Sequence, residues 1–461
     1  MSQKKKKDRV VYVCSECGHT SPQWMGRCPG CDRWNTLSEE VIRAAGRKTE
    51  SKREAPPTPL FLSDAVDVGT RRLSTGISEL DRVLGGGLVE GSVVLVGGDP
   101  GVGKTTLLMQ ALSHVSQSGV DCLYVSGEES LAQLKLRGER LGLDLTSFPV
   151  LFSANTDEIL SVIEDFSPRF VVLDSIQTAH FPELDASPGS ISQLRAVSAA
   201  IISTAKERNT AVILVGHITK EGTIAGPKVL EHLVDTVLYF EGDSGGPYRL
   251  LKAHKNRFGP TFEVGVFEMG DRGLLEVTNP SELFLSQRVV TDPGSAVTAS
   301  LEGTRTLLVE VQSLVVKSLL AVPRRVTVGM DQNRVHIIAA VLERTAGVSL
   351  SQHDIFINVV GGLRLTEPAA DLALAATLIS SFLNIPMPSD TVLFGEIGLS
   401  GEVRGVSQSR ARIAEAAKLG FKRVVMSKAS LSGASGGKDI ACVGISSVGE
   451  VMEVVFQAGT A

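Results

Sequence analysis

The stretch Gly98-Asp99-Pro100-Gly101-Val102-Gly103-Lys104-Thr105 constrains this chain more than any other. It fits G-x-x-x-x-G-K-[ST]. Before it runs Ser92-Val93-Val94-Leu95-Val96, a β-branched apolar run with the character of a buried strand. After it, Thr106 to Leu112 has helical spacing. A strand, a glycine loop and a helix in that order are the setting in which this pattern carries chemistry. Glycines let successive backbone N–H groups turn inward and surround phosphate oxygens at the positive end of a helix. Gly98 to Thr106 is therefore the candidate binding segment for a nucleoside triphosphate. Lys104 would reach the β- and γ-phosphates, and the Thr105 hydroxyl would hold Mg²⁺.

Such a loop needs a carboxylate at the end of a neighbouring strand. Phe170-Val171-Val172-Leu173-Asp174 supplies one, and Ser175 is placed to share its duty toward Mg²⁺. Hydrolysis also needs a group that positions or deprotonates water. Tyr124-Val125-Ser126-Gly127-Glu128-Glu129 ends a strand with two carboxylates, and strand ends of α/β sheets line the ligand crevice. Glu128 is the favoured base. Both glutamates also suit the start of a helix at Ser130, where negative charge is stabilising. His217 closes another apolar run, Ala211 to Gly216. It is either a sensor of the γ-phosphate or a structural residue. The segment Ile218 to Leu230, rich in Gly, Thr and Lys, reads as a ligand-carrying loop.

A second signal lies at the amino end. Cys14-x-x-Cys17, ten residues, then Cys28-x-x-Cys31 is a pair of knuckles able to grip one tetrahedral Zn²⁺. So short a segment has no apolar core, and metal binding would have to fold it. His19 reads as a solvated neighbour. The two tryptophans of the chain, Trp24 and Trp34, both fall here. They would cover the metal or stack on bases, with cover the first expectation. Cys122 and Cys442 read as core.

At 461 residues the chain exceeds one ordinary core, so two or three domains are expected. Residues 1–42 form the four-cysteine module and 43–59, charged and then proline-rich, a linker. Strand-like and helix-like segments alternate over 60–280, as an α/β parallel sheet requires. Candidate strands are 92–96, 122–125, 170–173, 211–215 and 236–239. Asn279-Pro280 punctuates the boundary to a second α/β domain over 281–461. A net charge of −5 does not mark a general polyanion binder, yet Lys4 to Lys7 and later Arg/Lys pairs are locally clustered. A membrane span needs about 20 apolar residues, and the longest apolar stretch, Leu372 to Ile385, falls short of that. Val10 to Val13 is too brief for the apolar region of a signal peptide. A cytoplasmic location with reduced cysteines is expected, which favours metal ligation over disulfides.

Ser74-Thr75-Gly76-Ile77-Ser78-Glu79-Leu80-Asp81 and Gly85-Gly86-Gly87, ahead of the phosphate loop, resemble the approach to RecA-like ATPase cores. With the four cysteines, Val215 to Gly222 and the signature Lys255-Asn256-Arg257-Phe258-Gly259, nearly the full length resembles the RadA (Sms) family of bacterial DNA repair proteins. The resemblance implies a DNA-stimulated ATPase, hexameric, that promotes branch migration during homologous recombination. It implies ATP, Mg²⁺ and Zn²⁺ as cofactors, and single-stranded and branched DNA and the RecA recombinase as partners. Lys255 and Arg257 would act either on a neighbour's γ-phosphate or on DNA.

The resemblance also implies that 281–461 is similar to the proteolytic domain of Lon, whose chemistry is a Ser–Lys dyad. Ala369, in Glu367-Pro368-Ala369-Ala370-Asp371, stands where the serine belongs. Gln408, in Gly405 to Arg410, falls where the lysine belongs. Neither can do the chemistry, so a scaffold is expected. Two other functions compete with a DNA motor: an ATP-dependent protease, which the missing dyad opposes, and a RecA-like regulatory or autophosphorylating ATPase without motor activity.

Overall fold

A computed structural model describes residues 9–14, 19–42, 71–217, 229–242, 248–261, 263–286, 288–289, 291–431 and 440–456. Cys17, the basic amino-terminal run, the linker and most of the loop beginning at Ile218 lie outside them. Two compact units emerge: residues 1–241 with 249–276, and residues 242–248 with 277–461.

In the first unit, β1 (Arg9–Cys14), β2 (Thr20–Ser21) and β3 (Leu37–Ile42) form a small antiparallel sheet in the order β2-β1-β3. A hairpin of β4 (Arg72–Leu73) and β5 (Leu88–Val89) then encloses α1 (Ser78–Leu84). The Ser-Thr-Gly lead-in has a physical reason. Asp81 on α1 accepts from the Ser74 hydroxyl at 2.6 Å and from the Thr75 amide and hydroxyl at 2.9 and 2.8 Å.

The core is a nine-stranded sheet. Its parallel part alternates β6 (Val93–Gly98), α2 (Lys104–Gln117), β7 (Cys122–Ser126), α3 (Leu131–Leu141), β8 (Val150–Phe152), α4 (Thr156–Phe166), β9 (Phe170–Asp174), α5 (Ile191–Arg208), β10 (Ala211–His217), α6 (Val229–Leu233) and β11 (Thr236–Glu241). Strands β12 (Tyr248–Asn256), β13 (Val264–Gly270) and β14 (Gly273–Glu276) extend it, giving the order β14-β13-β12-β11-β6-β10-β9-β7-β8. All five strands expected from the sequence are present. They read as unbroken apolar runs because helices cover both faces. Leu107, Leu108 and Leu112 of α2 pack on one face, and Ile159, Leu194, Val197 and Ile201 of α4 and α5 on the other. The loose alternation of Tyr248 to His254 in the sequence suits an edge strand. Instead β12 is interior, between β11 and β13, because the following hairpin supplies two more strands.

The second unit holds a seven-stranded mixed sheet. Its strands are β15 (Ser295–Glu302), β16 (Arg305–Lys317), β17 (Arg325–Val328), β18 (His353–Val359), β19 (Thr391–Phe394), β22 (Arg423–Ser427) and β23 (Ala441–Ile445), in the order β17-β18-β16-β15-β19-β22-β23. The unit also holds a separate pair, β20 (Glu396–Ile397) and β21 (Val403–Arg404), and the helices α7 (Pro280–Leu285), α8 (Gln332–Thr345), α9 (Asp371–Leu383) and α10 (Ser409–Lys418). The apolar run near residue 372 is α9, a core helix buried almost all round. No helix among the described residues is long and apolar enough to cross a membrane. Cys122 is buried as expected, whereas Cys442 is only half-buried at the sheet edge.

Candidate nucleotide site and metal module

Four parallel strands deliver the site. The carboxyl ends of β6, β7, β9 and β10 carry the phosphate loop, Glu128, Asp174 and His217 to one side of the sheet, where such folds place their ligands. Gly103 has φ of +117°, which only glycine adopts without strain, and it starts α2 there. A cleft of about 400 Å³ opens at this point.

Lys104 is buried. Its Nζ donates to the carbonyls of Gly98 at 2.6 Å and Asp99 at 3.0 Å, and lies 3.5 Å from His217 Nδ1. Burial pulls its pKa down, while Asp174, Asp99 and Glu128 oppose that shift. The Thr105 hydroxyl donates to Asp174 Oδ2 at 2.7 Å, so the loop hydroxyl and the strand-end carboxylate meet as their spacing predicted. Those oxygens suit a small, hard cation such as Mg²⁺.

Glu128 and Glu129 separate cleanly. Glu128 accepts from the Ser175 hydroxyl and lies 3.3 Å from His217 Nε2. Its pKa is lowered, first by the bond to His217, against an opposing effect of burial, and then by Ser175 and Lys104. Glu129 instead forms a two-point ion pair with Arg137 of α3, at 2.5 and 3.2 Å. Helix α3 itself is capped by a reciprocal box of Ser130 and Gln133. The Ser175 hydroxyl is thus bonded to Glu128, just past the end of β7. His217 lies between Lys104 and Glu128, within 3.5 Å of the one and 3.3 Å of the other.

Sequence reasoning missed Arg137, Arg140 and Arg249, which line the same cleft. With Lys104 they set four cations against Glu128, Glu129 and Asp174, a balance suited to a polyanion. The Arg249 Nε donates to the Val102 carbonyl of the phosphate loop at 3.2 Å. Nothing local marks Arg137 and Arg140, since an i, i+3 basic pair on α3 reads as an ordinary solvated helix face.

Lys255 and Arg257 lie elsewhere. Lys255 Nζ donates to the carbonyls of Glu231, His232 and Val234 at 2.8, 3.3 and 2.7 Å, closing the end of α6. Arg257, about half exposed, pairs with Asp235 at 3.1 Å, and Asp235 accepts from the Val93 amide that begins β6. The phosphate loop leaves the other end of β6, about 17 Å away at ~3.3 Å per residue. Within the signature, Asn256 is buried against the Val83 and Leu84 carbonyls, and a side chain at Gly259 would meet the backbone of Gly85.

In the amino-terminal module, Cys14 and Cys28 are buried and Cys31 partly so, with the three sulfurs within 4.8 Å of one another. Sulfurs about 2.3 Å from a tetrahedral Zn²⁺ stand roughly 3.8 Å apart. The Cys14–Cys31 separation is 3.7 Å, far beyond a disulfide, so the described ligands fit zinc. Trp24 and Trp34 do not cover them. They are 55% and 70% exposed, flank Gly26, and leave the small core to Leu37 and Tyr12. A short knuckle has no room beneath it for two indoles.

Residues 56–223 match the AAA domain family, 12–39 the rubredoxin metal binding domain, and 318–430 the family of the subunit ChlI of Mg-chelatase. DNA repair protein RadA of Bacillus subtilis is 46% identical over 455 residues, spanning 97% of this chain and 98% of its own. The chain belongs to the RadA family. RadA of Brucella abortus is 49% identical over 426 residues, covering 90% of this chain and 91% of that one. RadA of Pseudomonas aeruginosa is 50% identical over 424 residues, covering 91% and 93%. The chain joins a zinc ribbon, a RecA-like P-loop ATPase core that binds ATP, and a Lon-like α/β domain.

The zinc ribbon has an expected result of its own. Elemental analysis of freshly purified protein should find one zinc per chain. Cys14→Ser should lose the metal and unfold the module, while the thermal transition of the remainder is retained. Zinc-free protein with a folded module would contradict this.

Proposed function

We propose that this protein is a cytoplasmic, DNA-stimulated ATPase of homologous recombination. It works as a ring, most simply a homohexamer, that moves on single-stranded DNA and drives branch migration alongside the RecA recombinase. One observation carries the ring reading: Arg257 sits at the opposite end of β6 from its own phosphate loop. Any nucleotide it touches therefore belongs to a neighbouring subunit. In this scheme Gly98 to Thr106 bind ATP, and Thr105 with Asp174 holds Mg²⁺. Lys104 carries phosphate charge, Glu128 is the general base, and His217 reports the γ-phosphate to it. Glu129 is a structural partner of Arg137.

The domains divide the work. Residues 1–42 bind Zn²⁺, 60–280 hydrolyse ATP, and 281–461 serve as a scaffold without protease activity. Support for the last point comes from the buried Ala369 and from Gln408 at the start of α10. Beside them Arg412, fully buried, pairs with Glu367 and bonds to the Ala299 and Ser407 carbonyls. Breaking a buried pair of that kind costs about 3–5 kcal/mol, so the region is committed to structure.

Single-stranded DNA would be met by the loop beginning at Ile218, the zinc module and basic residues around Arg305, Arg324 and Arg325. Arg324 is exposed, while Arg325 also holds the Leu350 carbonyl. Fluorescence anisotropy over a salt series tests this. Each phosphate contact contributes roughly −0.7 to the log–log slope, so four or more give about −3 or steeper. Affinity indifferent to salt would remove the electrostatic footprint.

A further inference from the structure

Tyr124 lies on β7, wholly buried on the α2 face of the sheet among apolar side chains. Phenylalanine would fill that space without bringing a polar atom into the core, where an unbonded hydroxyl is costly. The phenol has a specific use. It donates to Asp174 Oδ2 at 2.7 Å, the same oxygen that accepts from the Thr105 hydroxyl at 2.7 Å. The register explains the meeting: β7 and β9 are parallel neighbours with Ser126 beside Asp174, which leaves Tyr124 two residues back, below the carboxylate.

We infer that Tyr124 is a positioning residue for the metal carboxylate, holding Asp174 in the orientation that serves Mg²⁺. The inference rests on the reading of Thr105 and Asp174 as the Mg²⁺ residues. A carboxylate turns easily about its last torsion, which is broad and two-fold. In the arrangement described, two hydroxyls share one oxygen. When Thr105 turns to the metal, its bond to Asp174 is given up, and Tyr124 is the donor that remains to fix which oxygen faces inward. Partners that orient metal ligands from behind usually matter by about 10- to 100-fold in metal affinity.

The test is a Mg²⁺ titration of the full-length protein bound to a fluorescent, non-hydrolysable ATP analogue, comparing wild type, Tyr124→Phe and Asp174→Asn. Tyr124→Phe is isosteric and keeps the apolar contacts. The Mg²⁺ dissociation constant of Tyr124→Phe should rise about 10-fold or more, with analogue affinity in the absence of Mg²⁺ unchanged. Unchanged Mg²⁺ affinity in Tyr124→Phe, while Asp174→Asn is impaired, would overturn the role of the phenol alone. Unchanged affinity in Asp174→Asn would remove the metal reading beneath it. A Tyr124→Phe protein that loses analogue binding even without Mg²⁺ would show a packing role and also overturn the inference.

Discussion

Lys104→Ala lowers ATP turnover by about 10³-fold or more, the scale on which a preorganised charge at a developing anion acts. The lysine is buried and its Nζ is already gathered by the Gly98 and Asp99 carbonyls, so no neighbouring cation can reach its position without rebuilding the loop. Lys104→Arg should fare little better, because a planar fork does not replace a compact ammonium in a closed loop. Glu128→Gln behaves differently: nucleotide stays bound while hydrolysis slows by ~10²–10⁴-fold, the worth of a general base. Glu129→Gln retains turnover, since its carboxylate is spent on Arg137. Because His217 and Ser175 hold the Glu128 pKa down, its carboxylate stays charged below the usual glutamate range. Any acid limb it causes should lie there too. Phosphate-release kinetics check all of these. Wild-type turnover in Glu128→Gln would move the base elsewhere.

The Lys255→Ala, Arg257→Ala double variant is expected to lose ~10³–10⁵-fold in ATPase rate, as when a trans-acting finger is removed. Its own phosphate loop is at the far end of β6, so the loss cannot come from direct contact within one chain. Mixing tests this directly. Combined with Lys104→Ala protein, also inactive alone, the double variant should recover part of the activity. Some interfaces then pair an intact loop with an intact finger. No recovery at any mixing ratio, with mixed rings verified, would contradict a trans role. Loss of DNA binding with basal ATPase preserved would assign the pair to DNA.

The parts of this molecule that announce themselves in sequence are those whose chemistry is local. Val93 to Thr105 encodes a strand, a loop and the start of a helix within thirteen residues, and Phe170 to Asp174 encodes a buried strand ending in a carboxylate. The rest is assembled by topology. Arg137, Arg140 and Arg249 reach the cleft from a helix and a strand whose own patterns say nothing about phosphate. Tyr124 meets Asp174 only because β7 and β9 are neighbours although 43 residues separate Cys122–Ser126 from Phe170 in a chain read linearly, as the numbering itself records. The interior position of β12 depends on β13 and β14, which a period-two pattern cannot foresee. The exposure of Trp24 and Trp34 depends on how little core a metal knuckle has to offer.

In the proposed function, DNA controls ATP hydrolysis by this RecA-like core. The most direct measurement is the ATP turnover of full-length protein with and without single-stranded DNA, with Lys104→Ala as the background. A several-fold rise is expected on adding DNA, one that weakens as salt displaces the DNA and is absent in Lys104→Ala. A Lys104-dependent rate that is the same with and without DNA would contradict it.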